Sequence, residues 1–168
     1  MLKPLLALAV TGATLALAAP AFADGKIYVQ LPDLSSYTGA KAEAFLHQVV
    51  LANVVSSNCT GYEVTEEEWS LLTDAADILA KQQLGLSTND YDQYYYDPAF
   101  AELDKPGTCA IEGPNVEVVI ADLVHFGGST TALPDQDAAY LEWRKMQDAW
   151  DAAEDAAATA APSKTKSK

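Results

Sequence analysis

The sequence predicts an all-α protein: a small single-domain bundle of four to five helices, tied by one disulfide, with an extended N-terminal arm. Three observations carry that prediction. Apolar residues recur at spacings of three and four through most of the chain after residue 38, the pattern that builds one buried face of a helix. The stretch Ile27, Val29, Leu31, interleaved with Tyr28 and Gln30, alternates as a strand does, yet no second stretch offers it an evident partner. The two cysteines, Cys59 and Cys109, stand about fifty residues apart, and in an oxidising compartment they pair most simply with each other. A crosslink closing a loop of that length contributes about 4 kcal/mol on the chain-entropy model, comparable to the net stability of a small domain.

Residues 1–23 read as a secretory signal. Lys3 supplies the positive start, an uncharged apolar run follows, Pro20 breaks it, and Ala21-Phe22-Ala23 forms a small-x-small box before Asp24. The run is too short and too rich in small residues for a membrane span. No cysteine follows the box, so no lipid anchor is expected there, and no later run approaches the ~20 apolar residues that a span needs. The protein is therefore expected to be periplasmic or secreted after cleavage near Ala23. Lys3 is the one ionisable residue of the leader, so nine bases face 24 acids after it, a net charge of −15 against −14 for the whole chain. Such a surface repels nucleic-acid phosphates and anionic membranes and attracts basic partners.

The elements follow in order. Residues 24–38 form the arm, ended as an alternating pattern by Pro32. The first helix is expected over 39–58, with Thr38 as its N-cap and Ala44, Phe45, Gln48, Val49, Leu51, Ala52, Val55 and Cys59 on its buried face. Thr65 and Glu68 make a capping box for the second helix, and Glu66 to Glu68 complement its dipole. Trp69, Leu72, Ala75, Ala76 and Leu79 form its apolar stripe, leaving Asp74, Asp77 and Lys81 to face water with Asp77 and Lys81 as an i,i+4 pair; Gly85 ends it. Ser87 or Thr88 caps a short helix through Tyr96, and Asp97-Pro98 starts a further turn or two to Leu103. Lys105-Pro106-Gly107 is a loop that delivers Cys109. Residues 116–126 have the β-branched content of a strand, but Val116, Val119, Ile120, Leu123 and Val124 recur at helical spacing. A Gly113-Pro114 start and a Gly127-Gly128 stop favour a buried helix of about eleven residues. Asp135 opens the last helix, expected to reach about Ala158, with Leu141, Met146, Ala149, Trp150 and Ala153 along one side. The helical domain thus covers 39–158, and a polar, basic tail covers 159–168.

One helix ending in a cysteine, a second finishing in leucine-glycine ("AKQQLG"), an acidic helical segment, and a second cysteine before a further apolar helix make a recognisable layout. Over residues 40–124 it resembles a family of short two-cysteine periplasmic proteins of unknown function from Gram-negative bacteria. That resemblance implies a small disulfide-tied helical fold and no particular activity. A weaker resemblance is to the small acid-stress chaperones of the periplasm, which also carry two cysteines about fifty residues apart. This chain is longer, and its cysteines do not sit at the starts of matching helices.

The chemically richest stretch is "TNDYDQYYYDP", residues 88–98. Asp90-x-Asp92 begins like a calcium loop, but Tyr95 stands where glycine is needed and Ala101 where glutamate is needed, so the loop reading fails. Tyrosine brings large contact area with a polar tip at low entropy cost, so Asp90, Tyr91, Asp92, Tyr94, Tyr95, Tyr96 and Asp97 are the candidate contact surface. On an ideal helix Tyr91, Tyr94 and Tyr95 share a side and Tyr96 turns away; the preferred reading packs Tyr91 and Tyr95, spaced at i,i+4, inwards and leaves the others half exposed, because a helical stripe of aromatics is more often core. His47 and His125 lie within apolar patterns and read as buried or half-buried structural histidines. There is no zinc motif, no nucleophile elbow, no phosphate loop and no haem motif, and no metal or cofactor is expected. The sequence therefore points to a non-enzymatic protein that binds another envelope protein, a basic one being what its charge would attract, as adaptor, inhibitor or accessory subunit. The alternatives are an acid-stress chaperone and an enzyme of unrecognised type.

Overall fold

Helix α1 (Ala40–Asn58) is the spine around which the chain is assembled. Ala42, Phe45, Leu46, Val49, Val50, Ala52, Val54 and Val55 are all buried, while Ala44 and Gln48 are exposed. The buried set is wider than the single face expected, because α1 packs against α2 (Glu66–Asp77), α4 (Asp97–Leu103) and α5 (Thr108–His125) at once. Its N-cap is Gly39, at φ 51°, with no side-chain cap; Thr38 does not serve. The computed structural model describes residues 25–160, so the expected leader at 1–23 lies outside the described residues, as does the expected tail beyond Ala160.

The all-α prediction holds. Among the described residues there are five helical runs and one isolated antiparallel bridge, Val29 with Ala132. That bridge is how the arm is held. Leu133 N–H donates to the Tyr28 carbonyl at 2.9 Å and Ser129 N–H to that of Gln30 at 2.9 Å, while Asp33 N–H donates to the Phe126 carbonyl at 2.8 Å. The arm thus lies along the α5–α6 connection and buries Tyr28, Val29, Leu34 and Tyr37.

Helix α2 opens with the full capping box: Glu68 N–H donates to Thr65 Oγ1 and Thr65 N–H to Glu68 Oε2. Leu71, Leu72, Ala75, Ala76 and Leu79 are buried, and Trp69 stays at the edge. The helix does not stop as an α-helix. It widens into a π turn, Ile78–Gln83, in which Leu84 N–H bonds back five residues to Leu79 O, before Gly85 at φ 62° reverses the chain.

The expected loop before Cys109 is short, and α5 begins well before the predicted start. It runs unbroken over Thr108–His125 with Gly113 and Pro114 inside it. Pro114 cannot donate to the carbonyl four residues back, which normally argues for a helix start. Here the Cys59–Cys109 disulfide (Cα–Cα 5.5 Å) holds the first turn against the end of α1. Gly113 also has a packing role: a Cβ there would come within 2.3 Å of the Tyr62 ring. Val116, Val119, Ile120 and Leu123 face inwards, but Val124 is exposed.

Helix α6 (Gln136–Ala160) is capped by Asp135 Oδ1, which accepts from Ala138 N–H, and includes Thr159 and Ala160, first assigned to the tail. It has no fully buried residue. Its half-covered stripe is Gln136, Ala139, Trp143, Met146, Gln147, Trp150 and Glu154; Leu141, Ala149 and Ala153 point to solvent. The helix was expected to rest on an apolar side, and instead it rests on a mixed one.

Candidate functional site

The tyrosine-rich segment forms one continuous helical run. Ser87 caps it, its Oγ accepting from Asp90 N–H at 3.1 Å. The run comprises α3 (Thr88–Tyr91), a π turn at Asp92–Tyr96, and α4 with Pro98 in its first turn. The π turn spends one more residue per turn than an α-helix, and this rotates the tyrosines. Tyr91 and Tyr95 are both 6% exposed. Tyr96 swings inwards to meet Tyr91, with ring centroids 5.2 Å apart, and Tyr94 swings out to 54% exposure. The ideal-helix grouping of Tyr94 with Tyr91 and Tyr95 is therefore wrong, and the wide turn is the reason.

The outward ridge consists of Asp92, Tyr94, Asp97 and Phe100, the last 48% exposed, with Asp90 and Tyr96 half-buried beside them. Phe100 was not among the candidate residues, although its place four residues after Tyr96 on an acidic helix was a usable signal. Tyr96 and Phe100 rings stack at 6.5 Å. Exposed carboxylates and aromatic rings are thus interspersed on the solvent side of this run, an arrangement suited to ammonium and guanidinium groups. Both histidines are exposed, contrary to the buried or half-buried placement expected: the His47 ring packs on Tyr95 at 4.4 Å and His125 meets Phe126 edge-on. No family model, no curated protein and no solved structure matches the chain.

An acidic seam lies beside the inner face of this run, with Asp77 near Tyr91 and Tyr96. Asp74 is buried and Asp77 half-buried, so neither stands on an open helix face. Asp74 is 1% exposed, and its Oδ1 accepts from Lys26 Nζ at 2.5 Å and from Trp143 Nε1 at 3.2 Å. Lys26 Nζ also sits 4.2 Å from the Trp143 ring centroid. Burial raises the Asp74 carboxyl above the usual range, opposed by the Lys26 ammonium. Asp77 lacks so close a cation. Burial, and then the Asp74 charge, push its carboxyl up to about 6, against the pull of Lys26, Lys81 and the Gln147 amide. Lys81 does not pair with Asp77 as its spacing suggested. It reaches Glu154 Oε2 at 2.8 Å and Thr88 Oγ1 at 2.8 Å, so it fastens α6 to the start of α3. That contact holds the Glu154 carboxyl below its ordinary value. The buried Tyr91 hydroxyl has no hydrogen bond of ordinary length among the described residues. Burial, with Tyr96 and the Asp77 charge nearby, pushes it far up.

Proposed function

We propose that this is a secreted, non-enzymatic binding protein that docks a basic envelope protein through the ridge of Asp92, Tyr94, Asp97 and Phe100, as an adaptor, inhibitor or accessory subunit. The observation that carries the reading is the joint exposure of Tyr94 and Phe100 among carboxylates on an otherwise well-packed helical run. Large aromatic side chains left in water beside acids offer contact area and cation–π faces together. The net charge, −14 for the whole chain and −15 without the expected leader, would speed the approach of a basic partner, and the association would weaken with salt. The expected leader at 1–23 places the encounter outside the cytoplasm.

The test compares the oxidised chain with a Tyr94→Ser, Phe100→Ser double variant as baits against an envelope extract. A stoichiometric basic protein that is held by the first, released by high salt and missed by the second supports the proposal. A partner held equally by both baits, or one indifferent to salt, overturns it.

A further inference from the structure

A cleft of about 450 Å³ opens between the arm and the first turns of α6, away from the aromatic ridge. Val29 and Leu31 of the arm form one wall, Leu133 and Pro134 of the α5–α6 connection the end, and Met146 and Trp143 of α6 the other wall. The space exists because α6 presents Ala138 and Ala139 where longer side chains would close it. A cleft of this size with carbon walls and a few polar groups is the form that small-molecule sites take.

The polar groups fix the sign of the ligand. Among the described residues the cleft is bordered by three carboxylates, Asp74, Asp135 and Glu142, and by no lysine or arginine. Lys26 pairs with Asp74, and Lys145 meets Glu142 at 2.6 Å on the solvent side, so neither base lines the cleft itself. An anion entering would lose hydration against an acidic rim whose nearby lysines, Lys26 and Lys145, are already engaged by Asp74 and Glu142, whereas an ammonium at the mouth meets the Asp135 carboxylate and can share Glu142 with Lys145 in the field of an acidic protein. We infer that this cleft binds a small apolar primary amine, its aliphatic or aromatic body between Leu31 and Met146 and its ammonium at the Asp135–Glu142 rim.

Trp143 provides the readout, because its indole N–H donates to Asp74 at the edge of the cleft. The oxidised chain, labelled with nitrogen-15, is titrated with hexylammonium and separately with hexanoate, and Trp143→Phe assigns the indole signal. The expected result is a saturable shift of the Trp143 N–H with hexylammonium and about tenfold weaker binding of hexanoate. Ala139→Leu should abolish the shift by filling the cleft. If that replacement disturbs α6, Glu142→Lys decides instead: the residue is exposed, and reversing its charge should weaken the amine and strengthen the acid. No saturable response to hexylammonium at Trp143, equal binding of hexanoate, or an unchanged preference in Glu142→Lys overturns the inference.

Discussion

Asp77→Asn should stabilise the protein at neutral pH and leave it nearly unchanged in acid. The carboxyl is lifted from 3.8 to about 6 in the folded chain, and a shift of roughly 2 units corresponds to about 3 kcal/mol. The sign follows from the direction of the shift. A raised pKa means that the folded state binds the proton more tightly, so the favourable contribution is complete below about 3.8 and is lost as pH rises through about 6. At pH 7 an ionised Asp77 is held against burial and against Asp74, with Lys26 and Lys81 as the nearby cations, Gln147 across from it on α6, and Tyr91 and Tyr96 facing it from the third helical run. Asparagine keeps the shape and cannot ionise. Urea unfolding of the oxidised proteins at pH 7 should place the variant's midpoint about 1–2 M higher, with the slope unchanged. At pH 4 the two midpoints should nearly coincide. Equal differences at both pH values, or a variant weaker at pH 7, would refute the reasoning. The same measurement bears on the acid-stress reading, since this seam tightens between pH 7 and 4, whereas a chaperone activated by acid would have to loosen.

Two other predictions concern the frame. Replacing Cys59 and Cys109 together by serine should cost about 4 kcal/mol by the chain-entropy argument, read as a lowered unfolding midpoint that matches that of the wild-type chain under reductant. Gly113→Ala sets a methyl against the Tyr62 ring and should cost about 1–3 kcal/mol, whereas Ala at the neighbouring Glu112 should change the midpoint little; equal effects at the two positions would remove the packing role given to Gly113.

Much of the frame was legible in the sequence because it depends on local signals. The capping box at Thr65 and Glu68, the cap at Ser87, and the two cysteines each act over a few residues or through one covalent bond. The site was less legible because it depends on what covers what. Asp74 and Asp77 have the spacing of a solvated helix face, and it is the arm's Lys26, the tyrosine run and α6 together that cover them. The signal that could have exposed this lies on α6, where Trp143, Gln147, Trp150 and Glu154 recur at three and four, mixing indoles with polar groups. Such a stripe fits a polar seam better than a hydrocarbon core. The inward turn of Tyr96 could not be read either, since helical spacing assumes the α pitch and the chain takes a π turn there. Pro114 misled for a related reason: the disulfide and the contacts around Tyr62 accompany a helix that local propensity would begin later.

The Cys59–Cys109 bond also divides the chain into two kinds of territory. The segment between the cysteines, which holds α2 and the tyrosine run, is a closed ring, while the arm and α6 are branches outside it. A protease that nicks the ring once leaves a single covalent molecule, with α1 and α5 still joined. A cut in the connection at 127–134 severs α6, and its contacts with Asp74, Lys81, Thr88 and the arm are then what keep it in place. Damage is therefore tolerated under the aromatic ridge and is not tolerated at the cleft.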